Sequence, residues 1–205
     1  PQTENNFHKY IVEIETPTLD QKKIGRTKLA KEISKVCGRR FEPPMISIIK
    51  DRCRIQMSEK PVYRIQFGVA QHACDNAQLC GDSYDCFTDG KGRFVAIISD
   101  GMGTGGRAAV DGAMASNIMG NLVKAGLGFD CALKIVNSAM QVKSGEESLA
   151  TLDVAVLDLF NGSLSVMKAG APMSFIKKGR NVERLDAVSV PIGILDEAKF
   201  AYAKS

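Results

Sequence analysis

Apolar and polar positions along this chain change period several times, and each change marks an element. Phe94-Val95-Ala96-Ile97-Ile98 is a run too apolar to face water on both sides, which predicts a strand over Arg93–Ser99. Directly after it, Val110, Met114, Ile118 and Leu122 recur at helical spacing and predict a helix from about Arg107 to Lys124 with those residues on one face. Ala132, Leu133, Val136 and Met140 place a second helix over Phe129–Val142, and only the Gly126-Leu127-Gly128 turn separates the two. Period two then returns. Ala150–Phe160 alternates, Asn161-Gly162 is a strong hairpin signal, and Ser163–Ala169 runs back antiparallel. Met173–Lys178 and Asn181–Leu185 repeat the device around Gly179. Upstream, Tyr63, Ile65, Phe67 and Val69 alternate as a half-buried strand should. The first segment reads as a strand (His8–Glu15), then a helix (about Asp20–Cys37) with Ile24, Leu29, Ile33 and Val36 on one face. Two strand-like runs within Met45–Met57 follow.

Pro43-Pro44 and Glu59-Lys60-Pro61 punctuate the first third, so residues 1–60 are expected to be a regulatory or linking segment and residues 61–205 the core domain. A strand block before two helices and another after them predicts an α/β fold, a layered sandwich of sheets packed face to face with helices outside. Charge divides along the same line: residues 1–60 carry 13 basic and 8 acidic side chains, a net +5, and the remainder is −1. A solvated helix face explains the basic stretch Lys22-Lys23 to Arg39-Arg40, and without interleaved aromatics no nucleic acid partner is expected. No apolar run approaches the ~18 residues that cross a bilayer, and the start lacks a secretory layout. The six cysteines show no Cys-x-x-Cys, and His72-x-Cys74 with Cys80 and Cys86 lacks the paired spacing of a zinc site. Reduced thiols in the cytoplasm are therefore the expectation.

The candidate chemistry sits where the Arg93–Ser99 strand meets its helix, at Ser99-Asp100-Gly101-Met102-Gly103-Thr104-Gly105-Gly106-Arg107-Ala108. Glycines there let backbone approach a ligand, and a carboxylate stands at the mouth of a sheet. Gly101-x-Gly103-x-x-Gly106 has dinucleotide-binding spacing, but the helix is not followed by a strand ending in an acid, and Asp100 would repel a pyrophosphate. A plain tight turn is a third reading. The metal reading gains from Gly81-Asp82-Ser83-Tyr84-Asp85: the turn signal Asp89-Gly90-Lys91-Gly92 predicts a hairpin that brings Asp82 alongside Asp100. Two aspartates without a histidine favour magnesium or manganese.

Five segments together carry a family resemblance: Gly81-Asp82-Ser83-Tyr84, Ser99-Asp100-Gly101-Met102-Gly103 through Arg107-Ala108, Thr151-Leu152-Asp153, Lys168-Ala169-Gly170-Ala171-Pro172, and Pro191-Ile192-Gly193-Ile194. In order and spacing the chain resembles the phosphatase domain of the stage II sporulation protein E family, in the bacterial branch of the metal-dependent serine/threonine protein phosphatases. The likeness covers roughly residues 63–203. It implies an α-β-β-α sandwich of two mainly antiparallel sheets flanked by helices. It also implies hydrolysis of a phosphoserine on an anti-anti-sigma-factor-like partner by metal-activated water, without a phosphoenzyme, in control of sporulation or stress transcription. Asp82 and Asp100 would be the catalytic pair. Asp100 would bridge two Mn2+ or Mg2+ ions, Gly101 would offer its carbonyl, and Asp82 would hold one ion. The family's further metal-binding aspartates follow the position of Pro191-Ile192-Gly193 and have no counterpart in this sequence, so the domain is expected to be incomplete at its C-terminus. The alternative is a catalytically incomplete partner-binding or dimerisation module of the same fold. A homodimer is among the expected partners, and the location is cytoplasmic, whether free or as the soluble domain of a membrane-tethered protein. The helix after Asp100 is expected to act as a lever on the site, with Val110 and Met114 in its packing.

Overall fold

The structure is a computed structural model that describes residues 9–17, 25–50, 52–73, 79–143, 148–186 and 188–204. His8, the helix start expected at Asp20–Ile24, and Cys74 lie outside the described residues. The chain divides into two compact units, Pro1–Arg64 with Leu159–Asn161, and Ile65–Asp158 with Gly162–Ser205.

In the first unit, strands β1 (Ile11–Pro17), β2 (Met45–Ile49) and β3 (Arg52–Ser58) form an antiparallel sheet with β3 in the centre. Helix α1 (Arg26–Cys37) ends at Gly38, whose φ of 63° provides the left-handed cap. Ala30, Phe41 and Met57 form a small buried cluster, with Val12, Ile14, Leu29 and Ile33 packed against it. Val36, expected on the same helix face, is instead 85% exposed, because the cluster beneath α1 ends before its last turn. Glu59 is buried, and its carboxylate accepts from the Tyr10 amide at 3.2 Å and from Arg39 at 2.8 Å.

The second unit is built on one antiparallel sheet in the order β10-β7-β6-β5-β4. Its strands are β4 (Asp82–Thr88), β5 (Arg93–Asp100), β6 (Leu152–Asp158), β7 (Leu164–Ala169) and β10 (Ala201–Lys204). A separate hairpin pairs β8 (Ser174–Lys178) with β9 (Asn181–Leu185). Helices α2 (Gly106–Lys124) and α3 (Phe129–Val142) cover one sheet face. The core there joins Val95, Ile97, Leu152, Val154, Val156 and Met167 of the sheet to Ala115, Met119, Val123, Leu133, Val136 and Met140 of the helices. The architecture is thus mixed α/β, with antiparallel sheets flanked by helices.

Three expectations change. Tyr63, Ile65, Phe67 and Val69 form no strand, and all but Ile65 are exposed. Alternation describes a two-sided surface, whereas a strand also needs a ladder partner, and none pairs with this segment among the described residues. In α2, the buried stripe is Ala108, Asp111, Gly112, Ala115, Ser116, Met119, Gly120 and Val123, while Val110 is 53% exposed and Met114, Ile118 and Leu122 sit at its margin. Small residues let this helix lie close on the sheet, so its contact face is not its most apolar one. Finally, β5 is not buried on both sides: Ile98 is 55% exposed on the face away from the helices.

Candidate metal centre at the strand ends

Asp89-Gly90-Lys91-Gly92 makes the turn that fixes the β4–β5 register. Asp89 Oδ1 accepts the Lys91 and Arg93 amides at 3.0 and 2.9 Å, and Gly92 takes φ 78°. From that turn the ladder runs Thr88 opposite Phe94, Cys86 opposite Ala96, and Tyr84 opposite Ile98, reaching Asp82 opposite Asp100 at the far end. Directly opposed residues share a sheet face, so both carboxyls leave the sheet on the side away from α2 and α3.

The pair is electrostatically tense. Partial burial pushes the Asp100 carboxyl above the ordinary carboxylate value, the charge of Asp82 pushes the same way, and the hydrogen bond between the two carboxyl groups adds to it. A cation between them would relieve this.

Close backbone packing sets their position. The Gly101 amide donates to the Gly81 carbonyl at 3.1 Å. A Cβ at Gly101 would fall 1.9 Å from the Ala108 carbonyl oxygen of α2, and one at Gly112 would fall 2.1 Å from the Gly81 carbonyl oxygen. These two glycines are required by contact: α2 touches the carboxylate-bearing turns main chain to main chain. A Cβ at Gly81 would come 3.0 Å from the Gly101 carbonyl oxygen and 3.2 Å from Asp100 Oδ1, so both oxygens crowd the same side of Gly81. Asp82, Asp100 and Gly101, the residues singled out in the sequence, therefore come together. The donors are hard oxygens, which suit magnesium or manganese. Among the described residues no group of three or more His, Cys, Asp or Glu side chains is arranged to hold a metal.

Neighbouring residues complete the picture. Cys80 Sγ lies 3.4 Å from Asp82 Oδ2, and Gln71 Nε2 donates to the Asp82 carbonyl at 2.6 Å. At the other strand border, the Asp100 amide donates to Thr151 Oγ1 at 3.0 Å and the Thr151 amide donates to the Asp100 carbonyl at 2.9 Å. Asp153 and Asp158 lie on opposite faces of β6, as their spacing requires. Asp153 is held by Lys168, a fully buried lysine whose ammonium also reaches the Pro172 carbonyl at 2.6 Å and Ser174 Oγ at 2.7 Å. Ser174 Oγ donates to Asp153 Oδ2 at 3.1 Å as well. The carboxylate of Asp153 is therefore committed to tying the 170–174 loop to the sheet. Sequence reasoning had not found Lys168 as its partner, although Lys168 and Asp153 lie opposite each other in the β6–β7 register.

The family model of stage II sporulation protein E matches residues 90–204. The chain is 34% identical over 135 residues to stage II sporulation protein E of Bacillus subtilis (strain 168), covering 66% of this chain and 16% of that protein. Among solved structures it resembles the PP2C phosphatase domain with a fragment of the regulatory domain of the cell fate determinant SpoIIE from Bacillus subtilis. That likeness has a TM-score of 0.71 at 25% identity and covers 96% of this chain and 58% of the other. RsbX in complex with magnesium shares the fold at a TM-score of 0.54 and 17% identity, covering 66% of this chain and 65% of the other.

Proposed function

Because the chain belongs to the stage II sporulation protein E family, we propose that its second unit is a metal-dependent serine/threonine protein phosphatase domain and its first unit a regulatory or linking segment. The substrate class is a phosphoserine on an anti-anti-sigma-factor-like protein, and the setting is cytoplasmic control of sporulation transcription. The carrying observation is the cross-strand placement of Asp82 opposite Asp100.

In this reading Asp82 and Asp100 hold Mn2+ or Mg2+ with the Gly101 carbonyl. The bound ions would polarise the phosphoryl oxygens and acidify the attacking water. Asp100 stands at the junction of β5 and the glycine loop, where its carboxylate would hold the metal beside Asp82. The main-chain contact of Gly81, Gly101 and Gly112 keeps the carboxylates from drifting apart under their own repulsion. No side chain is needed as a nucleophile. The PP2C phosphatase domain of the SpoIIE structure supports the reaction class, and the magnesium in the RsbX complex, which shares the fold, agrees with the metal.

Titration with manganese, followed by calorimetry, tests this reading. The chain is expected to bind manganese, and Asp100→Ala to abolish binding together with any hydrolysis of a phosphoserine peptide. Binding unchanged in Asp100→Ala would overturn it. A second reading, a partner-binding module without hydrolysis, draws on the two-carboxylate donor set among the described residues. It is favoured by manganese binding without turnover.

A further inference from the structure

In a strand flanked on both sides, as β5 is between β4 and β6, each amide is ordinarily satisfied by a backbone carbonyl, but at Asp100 the regular ladder ends. Regular pairing of β5 with β6 stops at Ile98 opposite Asp153, and beyond it the two chains keep the same register through the isolated bridge of Gly101 opposite Ala150 and the bond from the Met102 amide to the Leu149 carbonyl at 2.9 Å. Between those points the rung belongs to Asp100 and Thr151. The Thr151 amide makes the expected bond to the Asp100 carbonyl at 2.9 Å. The return bond is different: the Asp100 amide goes to the side-chain hydroxyl, Thr151 Oγ1, at 3.0 Å.

The exchange has a geometric consequence. With its N–H and its C=O both held by the same residue, Asp100 has its peptide planes fixed on either side of Cα, and the direction in which its Cα–Cβ bond leaves the strand follows. That matters here because the carboxyl is held against Asp82, a like charge directly opposite. Repulsion would turn an untethered strand end away from the pair. A backbone-only rung would demand that Thr151 stay in the sheet plane, whereas a hydroxyl acceptor lets the chain bend toward Ala150 while still holding Asp100.

We propose that Thr151 is a positioning residue of the metal centre, its hydroxyl fixing the peptide of Asp100 so that Asp82 and Asp100 stay convergent for a divalent cation. This rests on the metal-centre reading of the Asp82–Asp100 pair. Thr151 acts through Asp100 and does not itself touch substrate. Loss of such an orienting partner weakens metal affinity by ~10- to 100-fold.

The test uses the full 205-residue chain with Thr151→Val, which keeps the branched shape and removes the acceptor, Thr151→Ser, which keeps the acceptor, and Thr151→Ala as a second deletion of the hydroxyl. Manganese affinity is measured by calorimetry, and amide exchange at Asp100 is followed by NMR in the metal-free protein. Manganese binding ~10- to 100-fold weaker in Thr151→Val and Thr151→Ala, near wild type in Thr151→Ser, with fast Asp100 exchange in the first two only, is the expected result. Wild-type affinity in Thr151→Val overturns the proposal while leaving the metal centre standing. A wild-type chain that takes up no manganese overturns both, which separates the two failures.

Discussion

Asp82 and Asp100 face each other at the last rung of the β4–β5 ladder, so two carboxyl groups meet at one end of the sheet. Burial and the Asp82 charge raise the Asp100 value, so the folded metal-free protein holds that proton more tightly than the unfolded chain does. The associated stability is present below the unfolded carboxylate value of about 3.9 and is lost as pH rises through the raised folded value. Thermal melts in chelator should therefore show wild type losing ground to Asp100→Asn across that window. Manganese binding to wild type should strengthen over the same range, because the cation replaces the proton.

Gly101 and Gly112 have no room for a side chain. Gly101→Ala, whose Cβ would fall 1.9 Å from the Ala108 carbonyl oxygen, should destabilise the fold by about 3 kcal/mol in urea titrations. Gly112→Ala should behave alike, with its Cβ 2.1 Å from the Gly81 carbonyl oxygen. Gly68→Ala, with open space around it, should stay within about 1 kcal/mol of wild type.

The buried Lys168 makes Asp153 a structural anion. Asp153→Ala leaves an ammonium in the interior with only Pro172 and Ser174 as partners and should cost about 3 kcal/mol. Replacing both, as Asp153→Leu with Lys168→Met, should recover much of that loss. Manganese stoichiometry should not change in either variant.

The Tyr202 hydroxyl donates to Asp130 Oδ1 at 2.5 Å and so ties β10 to the start of α3. Burial first, and then the Asp130 hydrogen bond and charge, push the Tyr202 phenol far up. Its stabilising contribution is fully present below the ordinary tyrosine value of about 10 and is lost as pH rises above it. Ultraviolet titration should show one of the four tyrosines resisting ionisation, and Tyr202→Phe should remove that late step at a cost of about 1 kcal/mol near neutral pH.

Helix α3 and the β6–β7 and β8–β9 hairpins were legible because their signals are local: an apolar period over many residues, or a turn dipeptide between alternating runs. The Asp82–Asp100 register was legible for the same reason, since a four-residue turn signal fixes every pairing beyond it. The segment at Tyr63–Val69 misled because side-chain alternation carries no information about a hydrogen-bonding partner. Val110 misled because α2 uses small residues to approach the sheet, and alanine and glycine give little hydrophobic signal. Strand β10 is short and mixed in character, so it depends wholly on the edge of β7 that it joins. The Thr151 bond is a property of where a ladder breaks, which only the three-dimensional path of the chain reveals.

The contact between α2 and the Gly81 and Gly101 turns is made mainly by main chain: the Ala108 carbonyl lies against Gly101 and the Gly81 carbonyl against Gly112. Close-packed main chain has very little compliance, so tilting or sliding α2 reaches Asp100 undiminished. At the proposed metal centre, ion affinity would then report helix orientation much as a strain gauge reports the bending of a beam. Exposed α2 residues such as Val110 offer the handle by which that beam can be loaded.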